Sequence, residues 1–258
     1  MQFFILCINM GNKYYFSVGA IFKNESNSIN EWIKHYLHHG VEHFYLINDN
    51  SDDNFLDSIK EYIDRDIITL FNVNESYYLG RQRNLYNRCI LPHIKETKWL
   101  LMVDVDEYVW SKIDINMTNV LKNLEGFAQL QIQEHLFGSN SHIKQPNSIV
   151  KSFTKRGVDA LMKLKYIVNS SYEFSSLNIH HADFLNKEYI TDSKKFLIIN
   201  TEYFINNHYC CQSKEFWENV KCTRGDSDSY KIRKNIDFEY FDVNEVEDVD
   251  LYNQNQNI

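Results

Sequence analysis

The sequence predicts an α/β protein built on a doubly wound, mostly parallel sheet. Strand-like and helix-like patterns alternate through the first half of the chain, where four strand-like runs are separated by helices. The fourth run, Lys98–Val103, is almost continuously apolar, as a strand buried on both faces should be. From Phe127 onward the strands become less regular. A smaller β region and a helical C-terminal extension are therefore expected there.

The first strand and helix have the clearest pattern. Tyr15–Phe22 is β-prone, and Ser28–Gly40 places its apolar residues on one helical face. Ser28, with Glu31 three positions later, predicts a capping box at the start of this helix. Gly40 predicts its end.

The remaining elements follow from the same two periodicities. In the first half, the expected strands are Val41–Ile47, Ile67–Val73 and Lys98–Val103, with helices over 55–63 and Gly80–Ile90. In the second half, the expected strands are Ala128–Gln133, Ile149–Thr154, Lys165–Val168, Leu177–His181 and Phe196–His208, before a helix near Phe216 and Trp217.

Composition limits the function. The 258 residues suit one domain. Hydrophobic residues make up 43% of the chain, which is enough for a large core. The formal net charge is −8 and no segment concentrates Lys and Arg, so the basic surface that nucleic-acid binding requires is missing. An acidic protein that binds a diphosphate needs a cation to offset its own charge.

Cysteine usage and the N-terminal run bear on location. Five cysteines without regular spacing favour a reducing compartment over a disulfide framework. The apolar run Phe3–Ile8 is far shorter than the roughly 20 residues of a membrane span, and it lacks the basic segment of a signal peptide. We therefore expect no membrane span and a cytoplasmic location, including the host cytoplasm of a virus that encodes the protein.

Three polar clusters follow predicted strands: Lys23–Glu25, Asn48–Asn50 and Asp104–Glu107. The carboxyl ends of parallel strands meet at one edge of the sheet, where such folds bind their ligands. Within the third cluster, Asp104 and Asp106 are two residues apart, so an extended backbone turns both to one side. An acidic pair at the start of a loop is often only a solvated cap. Its place after a buried strand favours a site for Mn²⁺ or Mg²⁺, which prefer oxygen ligands.

Together, these segments resemble glycosyltransferases of family 2 and family 92 (DUF23-like). The resemblance covers roughly residues 18–250 in unchanged order, which makes it more specific than any single motif. The segments that carry it are Phe22–Glu25, Trp32, Asn48–Asp53, Gly80–Asn84, Leu101–Tyr108, Phe137–Ser139, Asn207–Tyr209, Ser213 and Lys221–Gly225.

The resemblance implies a GT-A fold and a hexosyltransferase activity. A metal-dependent enzyme of this kind moves a sugar from a UDP- or GDP-type donor, UDP-sugar being favoured, to a hydroxyl of a glycan or glycoprotein, with inversion. It also implies one domain over residues 1–258. Its nucleotide-binding half would occupy about 15–110, its acceptor-side half about 127–212 and its C-terminal extension about 213–258.

The candidate donor contacts are Asn24, Glu25 and Asp49, which the resemblance implies, together with Arg81, Arg224 and Asp104, the last of which is also a metal ligand. Asn24 and Glu25 would lie near the nucleotide, and Asp49 would contact the base or ribose. Arg81, at the start of a helix, would attract phosphate, as free helix N–H groups do; the alternative is that Arg81 only solvates a helix surface. Arg224 would close over the diphosphate from a C-terminal loop.

The metal ligands implied by the resemblance are Asp104, Asp106 and His208, the last being a histidine followed by an aromatic residue. His180 and His181 are the alternatives to His208. Adjacent residues on a strand point to opposite faces, so at most one of these two could serve a given site.

Direct displacement at a sugar carbon needs a general base for the acceptor hydroxyl. Glu134 is our candidate, with Asp183 as the alternative. Two other functions stay open. A nucleotidyltransferase or metal-dependent phosphoryl-transfer enzyme would also place carboxylates at strand ends, although Val18–Phe22 is not a glycine-rich phosphate loop. A catalytically silent glycan-binding module would keep the same fold.

Overall fold

The computed structural model describes residues 11–186, 196–199, 202–225, 233–256 and 258. The N-terminal run Phe3–Ile8 lies outside these residues. The strands are β1 (Tyr14–Phe22), β2 (His43–Asp49), β3 (Ile68–Val73), β4 (Thr97–Met102), β5 (Glu107–Trp110), β6 (Gln129–Leu136), β7 (Lys155–Arg156), β8 (Leu161–Asn169), β9 (Phe174–Leu177), β10 (Ala182–Phe184), β11 (Phe196–Ile199), β12 (Ile205–His208) and β13 (Val246–Glu247).

The α-helices are short after the first two. They are α1 (Ile29–His38), α2 (Phe55–Asp64), α3 (Arg81–Leu85), α4 (Met117–Lys122), α5 (Ile149–Ser152), α6 (Lys214–Phe216), α7 (Cys222–Arg224), α8 (Phe238–Phe241) and α9 (Asp250–Gln254). π-helical turns at Tyr86–Ile90 and Trp217–Lys221 continue α3 and α6, and 3-10 turns occupy Leu91–Glu96 and Asn235–Asp237. Within the described residues, no helix has the length and apolar character needed to cross a bilayer.

In the part of the chain that is described, one sheet holds nine strands in the order β3-β2-β1-β4-β8-β6-β12-β5, with β11 also paired to β6. Strands β3, β2, β1 and β4 run parallel to one another, whereas β8 runs antiparallel to both β4 and β6. The chain moves outward from β1 to β3 and then returns to β4 on the other side of β1. This reversal opens a crevice at the carboxyl ends of β1 and β4.

The two faces of this sheet bury separate cores. Trp32 and Ile59, from α1 and α2, pack on one face, whereas Tyr86 and Ile90, from the turn after α3, pack on the other. Helices therefore cover both faces. The predicted α/β class and the doubly wound, mostly parallel sheet are confirmed.

The predicted capping box is wrong, and so is the strand over 149–154. The hydroxyl of Ser28 makes no cap bond to α1 and donates instead to Glu25 Oε2 at 2.6 Å. Glu31 accepts from the backbone N–H groups of Ile149 at 2.6 Å and Val150 at 3.1 Å. A carboxylate from α1 thus caps α5, because free N–H groups at a helix start need an acceptor.

The predicted strand Leu177–His181 is also wrong in its extent. β9 ends at Leu177, and Asn178 N–H donates to His181 O at 2.8 Å, which closes a turn into β10. Tyr166 O–H donates to Asn178 O at 2.6 Å and fixes the turn against β8. Further along, the predicted run 196–208 is two strands, and residues 200–201 between them lie outside the described part.

His35 and His39 are buried on the inner face of α1 beside Asn255. Burial lowers the pKa of His39 from 6.5 to about 4 and lowers that of His35 well below its usual value. The unfolded chain therefore binds more protons than the folded one between these pH values. The free energy of unfolding should fall as the pH drops from about 6.5 towards 4, by up to about 1.4 kcal/mol per pH unit for each histidine.

Urea unfolding at several pH values checks this prediction. His39→Gln removes one of these two buried histidines, so its unfolding free energy should depend less steeply on pH than that of the wild type in this window. Equal slopes in the two proteins would show that His39 is not held neutral by the fold.

Candidate active site

A pocket of about 490 Å³ lies at the carboxyl ends of β1, β2 and β4. Its volume is within the range usual for small-molecule sites. All three polar clusters of the sequence contribute to it, together with residues of β6, β8 and the C-terminal region. The charged residues, histidines and cysteine that line it are Lys23, Glu25, Asp49, Glu75, Arg81, Asp104, Asp106, Glu107, Glu134, Lys163, Lys165, His180, His208, Cys210, Lys221, Arg224 and Arg233.

Asp104 lies directly beyond β4 and pairs with a lysine of β8. Lys165 Nζ donates to Asp104 Oδ2 at 2.7 Å and lies 3.3 Å from Glu107 Oε2. Glu107 also accepts from the backbone N–H of Asp104 at 2.9 Å, so this carboxylate closes the turn. Burial disfavours the charged form of Lys165, but Asp104 and Glu107 raise its pKa well above the usual value.

Asp106 is 5% exposed and faces two cationic partners. Lys221 Nζ donates to Asp106 Oδ2 at 2.5 Å, and His208 Nε2 lies 3.6 Å from Asp106 Oδ1. Burial alone would raise the pKa of Asp106, but Lys221 and His208 hold it well below its usual value. Asp106 is therefore a buried carboxylate, ionised at neutral pH.

His208 ends β12, which lies between β6 and β5 and pairs His208 with Glu107 across the sheet. His208 Nδ1 donates to Glu134 Oε2 at 2.9 Å, which leaves Nε2 directed at Asp106. Burial opposes a charged imidazole, yet Glu134 and Asp106 raise the pKa of His208 well above its usual value. A carboxylate behind one ring nitrogen is the arrangement that orients metal-binding histidines.

Glu134 is 2% exposed and lines the pocket from within β6, whereas the sequence had placed it just beyond a strand. Its second oxygen, Oε1, is buried and has no hydrogen-bond partner among the described residues. A buried acceptor without a donor costs free energy. The pocket therefore contains an acceptor available to a ligand.

The loop that carries the two aspartates is held from behind by α1. Trp32 Nε1 donates to Glu107 O at 2.9 Å, and Tyr36 O–H donates to the same oxygen at 3.0 Å. Both rings are fully buried. The helix thus fixes the backbone on which Asp106 stands.

Arg81 and Asp49 form a buried pair beside the pocket. Arg81 donates to both oxygens of Asp49, at 2.7 and 2.5 Å, and its side chain is 3% exposed. The hydrogen bonds that Arg81 donates to Asp49 raise the pKa of the guanidinium. The structure thus joins two predicted donor residues to each other.

Arg224 and Glu25 form a second pair, at the C-terminal side of the pocket. Arg224 Nη1 donates to Glu25 Oε1 at 2.6 Å and to Lys23 O. Arg224 follows the helical turn that carries Lys221, so this contact docks the C-terminal segment on the loop after β1.

The remaining predicted residues take three kinds of position. Asn24 accepts from Asp52 N–H at 3.0 Å and ties two loops together without lining the pocket. His180 lines the pocket but stands outside the described metal-ligand groupings, and His181 pairs with Asp183 at 3.2 Å. Asp183 lies outside the pocket lining, where Ser176 and Asn178 donate to it.

Sequence reasoning assigned no role to Lys165, Lys221 or Cys210, although all three line the pocket. One signal was present for β8, where Lys163 and Lys165 stand two apart in an otherwise apolar strand and so share a face. Cys210 likewise stands two residues from His208, just beyond the end of β12. Only the folded chain brings Lys221 to Asp106.

The donor set fits a divalent cation. Ligand atoms of Asp106, His208 and Cys210 lie within 4.8 Å of one another, and all three side chains are buried. Asp104 is not part of this grouping, and its carboxylate accepts a hydrogen bond from Lys165. The second such grouping, Glu107, Glu134 and His208, shares the same imidazole.

The model of glycosyltransferase family 92 matches residues 12–241. The chain belongs to this family. The family resemblance of the sequence motifs is therefore confirmed, and Asp104, Asp106, Glu134 and His208 all fall within the matched region.

Curated proteins of family 92 are distant relatives of this chain. A family 92 protein of Oryza sativa subsp. japonica is 22% identical over 209 residues, which cover 79% of this chain and 34% of that protein. One of Ricinus communis is 25% identical over 224 residues, which cover 81% of this chain and 36% of that protein. The chain therefore spans about a third of the length of these relatives.

Among solved structures, residues 1–349 of S. aureus TarS in complex with UDP are similar at 11% identity, with a TM-score of 0.45. The match covers 75% of this chain and 60% of the TarS fragment.

Proposed function

We propose that this family 92 chain is a metal-dependent glycosyltransferase that moves a hexose from a nucleotide diphosphate sugar to a hydroxyl of a glycan or glycoprotein. One observation carries the proposal: a buried carboxylate and a carboxylate-oriented imidazole, Asp106 and His208, meet in a pocket at the switch point of the sheet, and that pocket is lined by both basic and acidic side chains. In the first half of the chain, Asp49 and Arg81 would bind the nucleotide.

Asp106 and His208 would hold the cation, with Asp104 beside them. When bound, Mn²⁺ or Mg²⁺ supplies positive charge for the diphosphate and for the leaving group. The chain's own contribution is to orient these ligands, since Glu134 fixes the His208 ring and α1 fixes the aspartate loop.

Lys165 and Lys221 would serve as diphosphate contacts. Each now neutralises one aspartate of the Asp-Val-Asp segment. A cation at the aspartates would take over this neutralisation and release both ammonium groups to the phosphate oxygens, where a charge-assisted bond is favourable. Arg224, already docked on the loop after β1, would cover the same ligand from the C-terminal side.

Glu134 is our proposed general base. Its Oε1 is buried in the pocket lining without a partner, so it can accept the proton of an acceptor hydroxyl while Oε2 keeps its bond to His208. Transfer with inversion would follow, because base and leaving group act on opposite sides of one carbon. Asp183, outside the pocket lining, is not suited to this step.

Donor turnover tests the proposed activity. The protein is incubated with UDP- and GDP-sugars and Mn²⁺, and nucleoside diphosphate release is measured with and without chelator. We expect cation-dependent release from one nucleotide class. Glu134→Gln should lose turnover even at saturating Mn²⁺, because the loss of its support for His208 lowers cation affinity but does not by itself remove the cation at saturation. Pyrophosphate release from a nucleoside triphosphate and a sugar phosphate would instead identify a nucleotidyltransferase, and glycan binding without donor turnover would identify a silent module.

A further inference from the structure

Cys210 stands two residues beyond His208 and lines the same pocket. It is 5% exposed and is a free thiol. Cys210 lies in the bend just beyond β12, and the backbone N–H of Tyr209 between the two residues donates to Asp106 O at 2.8 Å. The backbone of Asp106 thus anchors the segment that carries both side chains.

The Sγ atom of Cys210 completes a compact triangle of unlike ligand atoms. A carboxylate oxygen of Asp106, an imidazole nitrogen of His208 and this sulfur all lie within 4.8 Å of one another. Atoms that bind one ion at roughly 2.0–2.3 Å stand at most about 4.6 Å apart. Small side-chain movements would therefore bring all three atoms onto one ion.

A second observation points to a ligand here. Glu134 lies against the same imidazole, and its Oε1 has no hydrogen-bond partner among the described residues although it is buried. Such an atom is an acceptor site for a group that the protein itself does not supply, for example water held by an ion. The triangle thus lies beside a second buried carboxylate that still has a free acceptor atom.

We propose that Cys210 is a thiolate ligand of the cation at Asp106 and His208, which makes this a mixed oxygen, nitrogen and sulfur site. The inference rests on the proposed metal-dependent function and deepens it. Coordination replaces the S–H bond by an S–metal bond, and the proton leaves to solvent. A soft ligand shifts selectivity away from Mg²⁺ and towards the softer ions Co²⁺, Zn²⁺ and Cd²⁺.

The neighbouring Cys211 is a matched control. It is fully buried, but its Sγ donates to Phe137 O at 3.7 Å and it does not line the pocket. Cys211→Ser therefore tests whether a serine substitution in this segment disturbs metal binding through the fold alone, without altering the triangle.

The test uses Cd²⁺ and Co²⁺ alone as probes of the full chain. We expect a thiolate-to-metal charge-transfer absorption band in the wild type and in Cys211→Ser, and no such band in Cys210→Ser. Asp106→Asn should weaken the same band, because both residues bind one ion. By calorimetry, Cys210→Ser should weaken Cd²⁺ by at least about tenfold and Mg²⁺ much less.

Three results would overturn the proposal. A band that persists in Cys210→Ser would show that another cysteine supplies the thiolate. If the wild type binds Mn²⁺ but shows no Cd²⁺ band, Cys210 is not a metal ligand, and the proposed function is unaffected. A wild type that binds no divalent cation would overturn the metal dependence as well. Thermal unfolding of each variant identifies those that have lost the fold.

Discussion

Asp106→Asn should abolish cation-supported donor turnover. Asparagine keeps the shape of the side chain but removes the charge that faces Lys221 and His208. Loss of a supporting residue at a metal site costs roughly 10- to 100-fold in affinity, so loss of a direct ligand should cost at least about 100-fold. Manganese titration followed by nucleoside diphosphate release measures both effects.

Asp183→Asn is the matched control for this change. Asp183 is also an aspartate with a histidine partner, His181 at 3.2 Å, but it lies outside the pocket lining. Its replacement should leave manganese affinity and turnover close to wild type. Equal losses in the two variants would contradict a specific role for Asp106.

Trp32→Ala should destabilise the protein by about 3–5 kcal/mol, the usual cost of removing a large buried aromatic ring. Trp32 is fully buried and packs on Tyr36 and Phe44, with ring centroids 4.8 and 5.6 Å away. Its loss also removes one of two hydrogen bonds to Glu107 O. Urea unfolding measures the free energy change.

Trp32→Phe separates packing from hydrogen bonding. Phenylalanine keeps most of the ring contact, while Tyr36 still donates to Glu107 O. The loss should then be about 1–3 kcal/mol, near the cost of one missing buried bond. An alanine variant no less stable than the phenylalanine variant would contradict the packing argument.

The first half of the fold was predictable because the sequence patterns that mark its strands and helices are local. The strand before Asp104 is continuously apolar, and the parallel order places the ends of β1, β2 and β4 at one edge. That reasoning brought Asp49, Asp104 and Asp106 to one pocket before any contact was known. The polar loops needed no long-range information.

The rest depends on contacts between distant residues. Glu31 caps α5 from more than a hundred residues away, so its spacing from Ser28 suggested a capping box that does not form. Lys221 reaches Asp106 only because the C-terminal segment docks through Arg224. No periodicity in the sequence encodes such pairs.

The partners of Asp104 and Asp106 also change how the site is understood. An acidic pair in the sequence suggests two carboxylates that have no side-chain partner. In the fold, however, each carboxylate is paired with a lysine. A cation that binds at both aspartates, as proposed, would therefore displace two ammonium groups, which a diphosphate can receive. Metal and donor should bind with positive cooperativity for this reason.

Calorimetric titration of the protein with UDP and GDP, with and without Mn²⁺, tests the central claim most directly. We predict binding of one nucleotide in the presence of Mn²⁺ and a loss of that binding when a chelator is added. Binding of equal strength without any divalent cation would contradict the account, because the basic side chains of the pocket would then neutralise the diphosphate without a cation.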